Sequence, residues 1–173
     1  MLLLTLLLGA SSLAGSPALL PCATPILLME QARPLPLPAN PPEEGPKSVR
    51  NSYPATTNSL ETENFVLWWG SSASPTVSME DASALLESFE LAWITEIETL
   101  GFTQPQSTES YKFNVYLGDT GGPSSLGANG YYFYDDDDWP MIVIASDLLG
   151  TDEAFVTAAH EFFHAIQDST GTY

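Results

Sequence analysis

Proline placement is the tightest constraint on how this chain can fold. Ten of its 14 prolines fall between Pro17 and Pro54. A stretch such as RPLPLPANPPEEGP (Arg33 to Pro46) cannot continue a helix, because each proline removes an amide donor and clashes with the preceding turn. It cannot form a central strand either, since the ladder needs those donors. The expected organisation therefore has three parts. Residues 1–18 form a secretory signal peptide, residues 19–59 a mostly disordered linker or pro-segment, and residues 60–173 the folded unit.

The leader expectation rests on MLLLTLLLGASSLAGSPA. Leu2 to Leu8 is an apolar run broken only by Thr5, followed by small residues ending at Ala14 or Ala18. That is the pattern of a secretory segment, although a basic amino-terminal region is missing. The run is too short to span a bilayer. Cys22 is the sole cysteine, which excludes an intrachain disulfide, and it falls in the leader or pro-segment.

Charge narrows the partners. Four Lys+Arg stand against 22 Asp+Glu, for a net charge of −18. Nucleic-acid binding depends on basic side chains neutralising phosphates, so a nucleic-acid partner is not expected. Anionic lipid is disfavoured for the same reason. With 44% hydrophobic residues the chain can still build a core.

Downstream of the prolines, periodicity gives the elements. NFVLWWG (Asn64 to Gly70) reads as a short strand. Ser78 to Gly101 reads as a helix, with Ser78 as cap, Gly101 as stop and Ala82, Leu85, Leu86, Phe89, Ala92, Trp93, Ile97 and Leu100 on its apolar side. YKFNVYL (Tyr111 to Leu117) alternates as a half-buried strand does. MIVIAS (Met141 to Ser146) is an internal strand. Between them, four consecutive aspartates, Asp135 to Asp138, read chiefly as a solvated turn. As a calcium site they lack the spaced ligands of a helix–loop–helix motif. The expected fold class is α+β: a small mixed or antiparallel sheet of three to four strands with two main helices packed on it.

The second helix, from Asp152 to about Asp168, carries His160-Glu161-Phe162-Phe163-His164. These are the only two histidines of the chain. Residues four apart on a helix share a face, about 6 Å apart along the axis. His160 and His164 can therefore both ligate one zinc ion. Glu161 lies about 100° around the helix, which suits it to reach water activated by the metal rather than to ligate easily. It would act as general base and then protonate the leaving amine.

AAHEFFHAIQ resembles the active-site helix of HExxH zinc metallopeptidases of the gluzincin type. It is similar, more narrowly, to secreted bacterial metalloproteases in which an HEFFHAIQ helix follows segments like TENFVLWWG (Thr62 to Gly70), TLGFTQP (Thr99 to Pro105) and YKFNVYLGDTGG (Tyr111 to Gly122). The resemblance implies zinc on His160 and His164, catalysis by Glu161 and a peptide or protein substrate. The pattern departs from its relatives in the third ligand. The metzincin glycine and histidine positions hold Gln167 and Thr170, and a gluzincin glutamate on a later helix would fall beyond Tyr173. The chain is thus expected to be the amino-terminal part of a peptidase unit, lacking its third ligand. The alternatives are a non-enzymatic, acidic extracellular cation-binding or interaction module, and an inactive peptidase remnant. The oligomeric state is left open.

Overall fold

A computed structural model describes residues 20–24, 47–73 and 76–171. The expected signal peptide and most of the proline-rich stretch lie outside these residues. Six strands make one mixed sheet: β1 (Leu20–Cys22), β2 (Asn58–Glu61), β3 (Phe65–Trp69), β4 (Phe113–Gly118), β5 (Ala128–Tyr134) and β6 (Pro140–Ala145). Their order across the sheet is β1-β5-β6-β4-β3-β2. β1 runs parallel to β5, β4 runs parallel to both β6 and β3, and the β5–β6 and β2–β3 pairs are antiparallel. Two helices complete the fold: α1 (Met79–Trp93), extended by a π-helical turn over Ile94–Thr99, and α2 (Asp152–Ser169).

The α+β class is as expected, but the sheet has six strands where three to four were expected. β2 is four residues of mixed polarity, with no apolar run to mark it. β5 begins with Ala-Asn-Gly, a turn-like opening, and ends against the aspartate run. β1 contains Pro21, which a ladder tolerates only where its missing donor faces away, and β1 lies at the sheet edge.

Both helices cover one face of the sheet. Phe65 and Leu67 of β3, Phe113, Val115 and Leu117 of β4, and Ile142 and Ile144 of β6 point into this layer. They meet Leu85, Phe89 and Trp93 of α1 and Ala158, Phe162 and Ala165 of α2. Phe162 is fully buried, with ring centroids 5.2 Å from Phe65, 5.9 Å from Trp93 and 6.1 Å from Phe113. Ser78 caps α1 as expected, accepting the amide of Asp81, and Thr151 caps α2, accepting that of Ala154.

The alternation read in β4 is correct, yet the strand is buried on both faces. Its second face is covered by residues ahead of Leu60, where a spacer was expected. Tyr53 packs edge-on against Tyr116 at 4.9 Å, and the Ser52 amide donates to the Tyr116 hydroxyl. Trp68 and Trp69 divide as β-strand neighbours must. Trp69 joins the helix-side core, while Trp68 is half-buried on the other face and donates to Asn114. Among the described residues, no helix is long and apolar enough to cross a membrane.

Truncating Phe162 to Ala removes the ring at which strand and helix aromatics converge. It should cost about 3–5 kcal/mol of unfolding free energy, read from the denaturant midpoint at unchanged slope. Glu96, in the π-helical turn, gives a pH-dependent expectation. Burial pushes its carboxyl up to about 7, and its Oε2 is buried without a partner. A folded-state pKa above the unfolded one means stability is fully present below the unfolded value and declines as pH rises through the folded value. Glu96→Gln should therefore match the parent below pH 4.5 and melt above it at pH 8, by differential scanning calorimetry at both pH values.

Candidate metal centre

The centre is built where α2 meets the sheet edge. Gly130 of β5 makes that approach possible. A Cβ on it would lie 2.6 Å from Thr157 Cγ2, 3.0 Å from the Val143 carbonyl oxygen and 3.2 Å from Glu161 Cγ. With hydrogen in that place, α2 presses Thr157 and Glu161 onto β5. Glu161 becomes fully buried, while His160 stays exposed and His164 half-buried on the same side of the helix.

The two imidazoles converge as the i, i+4 spacing requires. Their Nε2 atoms are 3.1 Å apart and the rings are perpendicular at 88°. His164 Nδ1 lies 2.9 Å from Gln167 Oε1. An Nδ1–H donated to that oxygen fixes the tautomer in which Nε2 offers its lone pair. Burial holds the His164 pKa below the ordinary imidazole value, against an opposing pull from Gln167 and Glu161. Its neutral, ligating form is thereby favoured at neutral pH.

A third element enters from far along the chain. β1 pairs Cys22 with Gly130, and the Ala23 amide donates to the Gly130 carbonyl at 3.2 Å. The Thr24 hydroxyl accepts the Tyr132 amide at 2.7 Å and donates to Glu161 Oε2 at 2.9 Å. Cys22 Sγ then lies 3.5 Å from His164 Nε2 and 3.6 Å from Glu161 Oε2. Burial pushes its thiol up to about 11, with Thr24 opposing and Glu161 reinforcing the shift. Ligand atoms of Cys22, His160, Glu161 and His164 all fall within 4.8 Å of one another. No other group of three or more His, Cys, Asp or Glu side chains is so placed among the described residues.

These four side chains are close enough together to hold a metal ion. Ordinary bond lengths in a tetrahedral site imply about 3.3 Å between two nitrogens and about 3.5 Å between nitrogen and sulfur. The corresponding separations here are 3.1 and 3.5 Å. Glu161 Oε1 is buried without a hydrogen-bond partner, a cost that a neighbouring cation relieves. The helix turn alone makes Glu161 a reach, but its close packing on β5 brings the carboxylate into the cluster.

The other buried aspartates lie elsewhere. Asp135 is buried, and both its oxygens are used as acceptors. Oδ1 takes the Asp137 and Trp139 amides, and Oδ2 takes Ser52 and Arg50. It closes the β5–β6 turn and pairs with Arg50 at 3.5 Å, while Asp136 to Asp138 face solvent. Asp168 sits past His164 and accepts the hydroxyls of Tyr132 and Tyr134. Cys22, Thr24 and Gln167 were missed as site residues. Only Gln167 carries a local clue, three residues after a ligand on the same helix.

Gly130→Ala should separate α2 from β5 and loosen the centre. The expected result is a loss of about 1–3 kcal/mol in stability and a weaker hold on any metal the cluster binds, measured by denaturation and by competition with a chromophoric chelator.

No curated protein and no solved structure matches this chain. A family model does match, over residues 32–172, which takes in the whole motif helix and begins after Cys22 and Thr24. The chain belongs to DUF6055, a family of unknown function.

Proposed function

We propose that this chain is a secreted zinc-dependent peptidase. One observation carries the reading: two imidazole nitrogens 3.1 Å apart face a fully buried carboxylate with an unpartnered oxygen. The resemblance of AAHEFFHAIQ to metallopeptidase helices supplies the substrate class, a peptide or protein.

His160 and His164 would hold the zinc, with Gln167 orienting His164. Zinc, when bound, acidifies water and polarises a carbonyl. Glu161 accepts a proton and passes it to the leaving amine. Thr24 holds Glu161 Oε2 and leaves Oε1 free for that exchange. A cleft of about 400 Å³ opens beside His160, between β1, Asn129 and the first turns of α2. Val156 and Thr157 line it, together with Asp152 and Glu153 from the start of α2. Such a cleft can seat a short extended peptide next to the histidines.

A second reading has its own support. Full burial of Glu161, with Cys22 and Thr24 against it, suits a closed structural zinc site in which Glu161 is itself a ligand.

One variant separates the two. If Glu161 is the base, Glu161→Gln lowers peptide hydrolysis by about a hundredfold to ten-thousandfold and leaves zinc affinity unchanged. If Glu161 is a ligand, the same variant weakens zinc binding, and no hydrolysis is seen in the parent. The assays are turnover of quenched-fluorescent peptide pools and zinc titration of each protein.

A further inference from the structure

We propose that Cys22 is the third protein ligand of the zinc, completing a centre of one cysteine and two histidines and tying the amino-terminal strand to the motif helix. The inference rests on the zinc-binding part of the proposed function and extends it, because the motif alone supplies two ligands.

Three independent features place the sulfur. The first is distance. Cys22 Sγ is 3.5 Å from His164 Nε2, the separation about expected for a thiolate and an imidazole on one tetrahedral zinc. The second is the backbone. The β1–β5 register sets Cys22 opposite Gly130, the residue whose missing side chain admits Glu161 and Thr157. Strand pairing and helix packing therefore bring thiol and histidines to the same point. The third is the buried carboxylate. Glu161 is fully buried, is aimed at the cluster and has an oxygen with no partner.

The basic side chains among the described residues are committed elsewhere. Arg50 pairs with Asp135, Lys112 with Glu61, and Lys47 bonds to Asn64. A carboxylate beside a thiol in such surroundings lacks a positive partner, and a divalent cation held by all three elements supplies one. On binding, the thiol gives its proton to solvent and the thiolate lone pair enters the metal's coordination sphere. Both leader cleavage points, after Ala14 or Ala18, would leave Cys22 in the mature chain. As the sole cysteine it has no intrachain partner to form a disulfide.

The test uses the full chain and cobalt(II), which reports its ligands optically. The parent protein, Cys22→Ser and His160→Ala are titrated with cobalt and then with zinc in competition. A thiolate-to-cobalt charge-transfer band in the parent, absent in Cys22→Ser, supports the proposal. So does a loss of zinc affinity in that variant of about a hundredfold or more, at or beyond the top of the range typical of groups that only orient ligands. Cobalt bound through the histidines, with visible ligand-field bands, no charge-transfer band and unchanged affinity in Cys22→Ser, overturns the proposal while leaving the two-histidine site intact. No cobalt bound by the parent overturns both. If Cys22→Ser fails to fold, alkylation of the parent by iodoacetamide decides. Protection of the single thiol by zinc, lost in His160→Ala, supports ligation, and alkylation at the same rate with and without zinc overturns it.

Discussion

The contact between α2 and β5 at Gly130 is the constraint from which the rest of the centre follows. A side chain there would collide with Thr157, Glu161 and the β6 backbone. Without one, the helix sits close enough to bury a carboxylate against the sheet, and the same residue serves as the register partner of Cys22. Helix, central sheet and edge strand are thus fixed to each other at one backbone position. The Thr24 hydroxyl reinforces the junction, since it takes an amide from β5 and gives its own hydrogen to Glu161.

Burying Glu161 is costly in a protein with this charge balance. A carboxylate removed from water needs donors or a cation. Oε2 has the Thr24 hydroxyl and the weak donor of Cys22, whereas Oε1 has neither. Asp135 shows how the same chain satisfies a buried carboxylate when the purpose is structural. It accepts two amides and a hydroxyl and pairs with an arginine that lies 3.5 Å over the Trp139 ring. Asp168 is held by two tyrosines. Among these three buried acids, Glu161 alone is left with an unmatched oxygen, and it alone lies beside the two histidines.

How much was legible in the sequence divides along the range of the interactions. His160, Glu161 and His164 are joined by helix geometry within five residues, so their convergence could be read directly. The cores of α1 and β4 were legible for the same reason, as periods of 3.6 and 2. What was not legible depends on partners far away. β4 looks half-buried until residues near Tyr53 cover its second face. Asp135 looks like its three exposed neighbours until Arg50 and Ser52 arrive. Cys22 lies 139 positions from Glu161 and 142 from His164 in a stretch dominated by proline, and nothing local marks it as a neighbour of the motif.

That separation has a thermodynamic consequence. β1 is three residues long and lies at the sheet edge, so its ladder to β5 contributes only a few hydrogen bonds. A metal ligated from both α2 and β1 would close a loop of well over a hundred residues, and its binding energy would become folding energy for the edge strand. Linkage would make the effect reciprocal: docking of β1 would tighten such metal binding as much as the metal would tighten the docking of β1. The motif helix has its own core contacts through Phe162, Ala158 and Ala165. β1 is held through a short ladder to β5, so a metal ligated by Cys22 would contribute chiefly to docking the amino-terminal segment that brings the thiol.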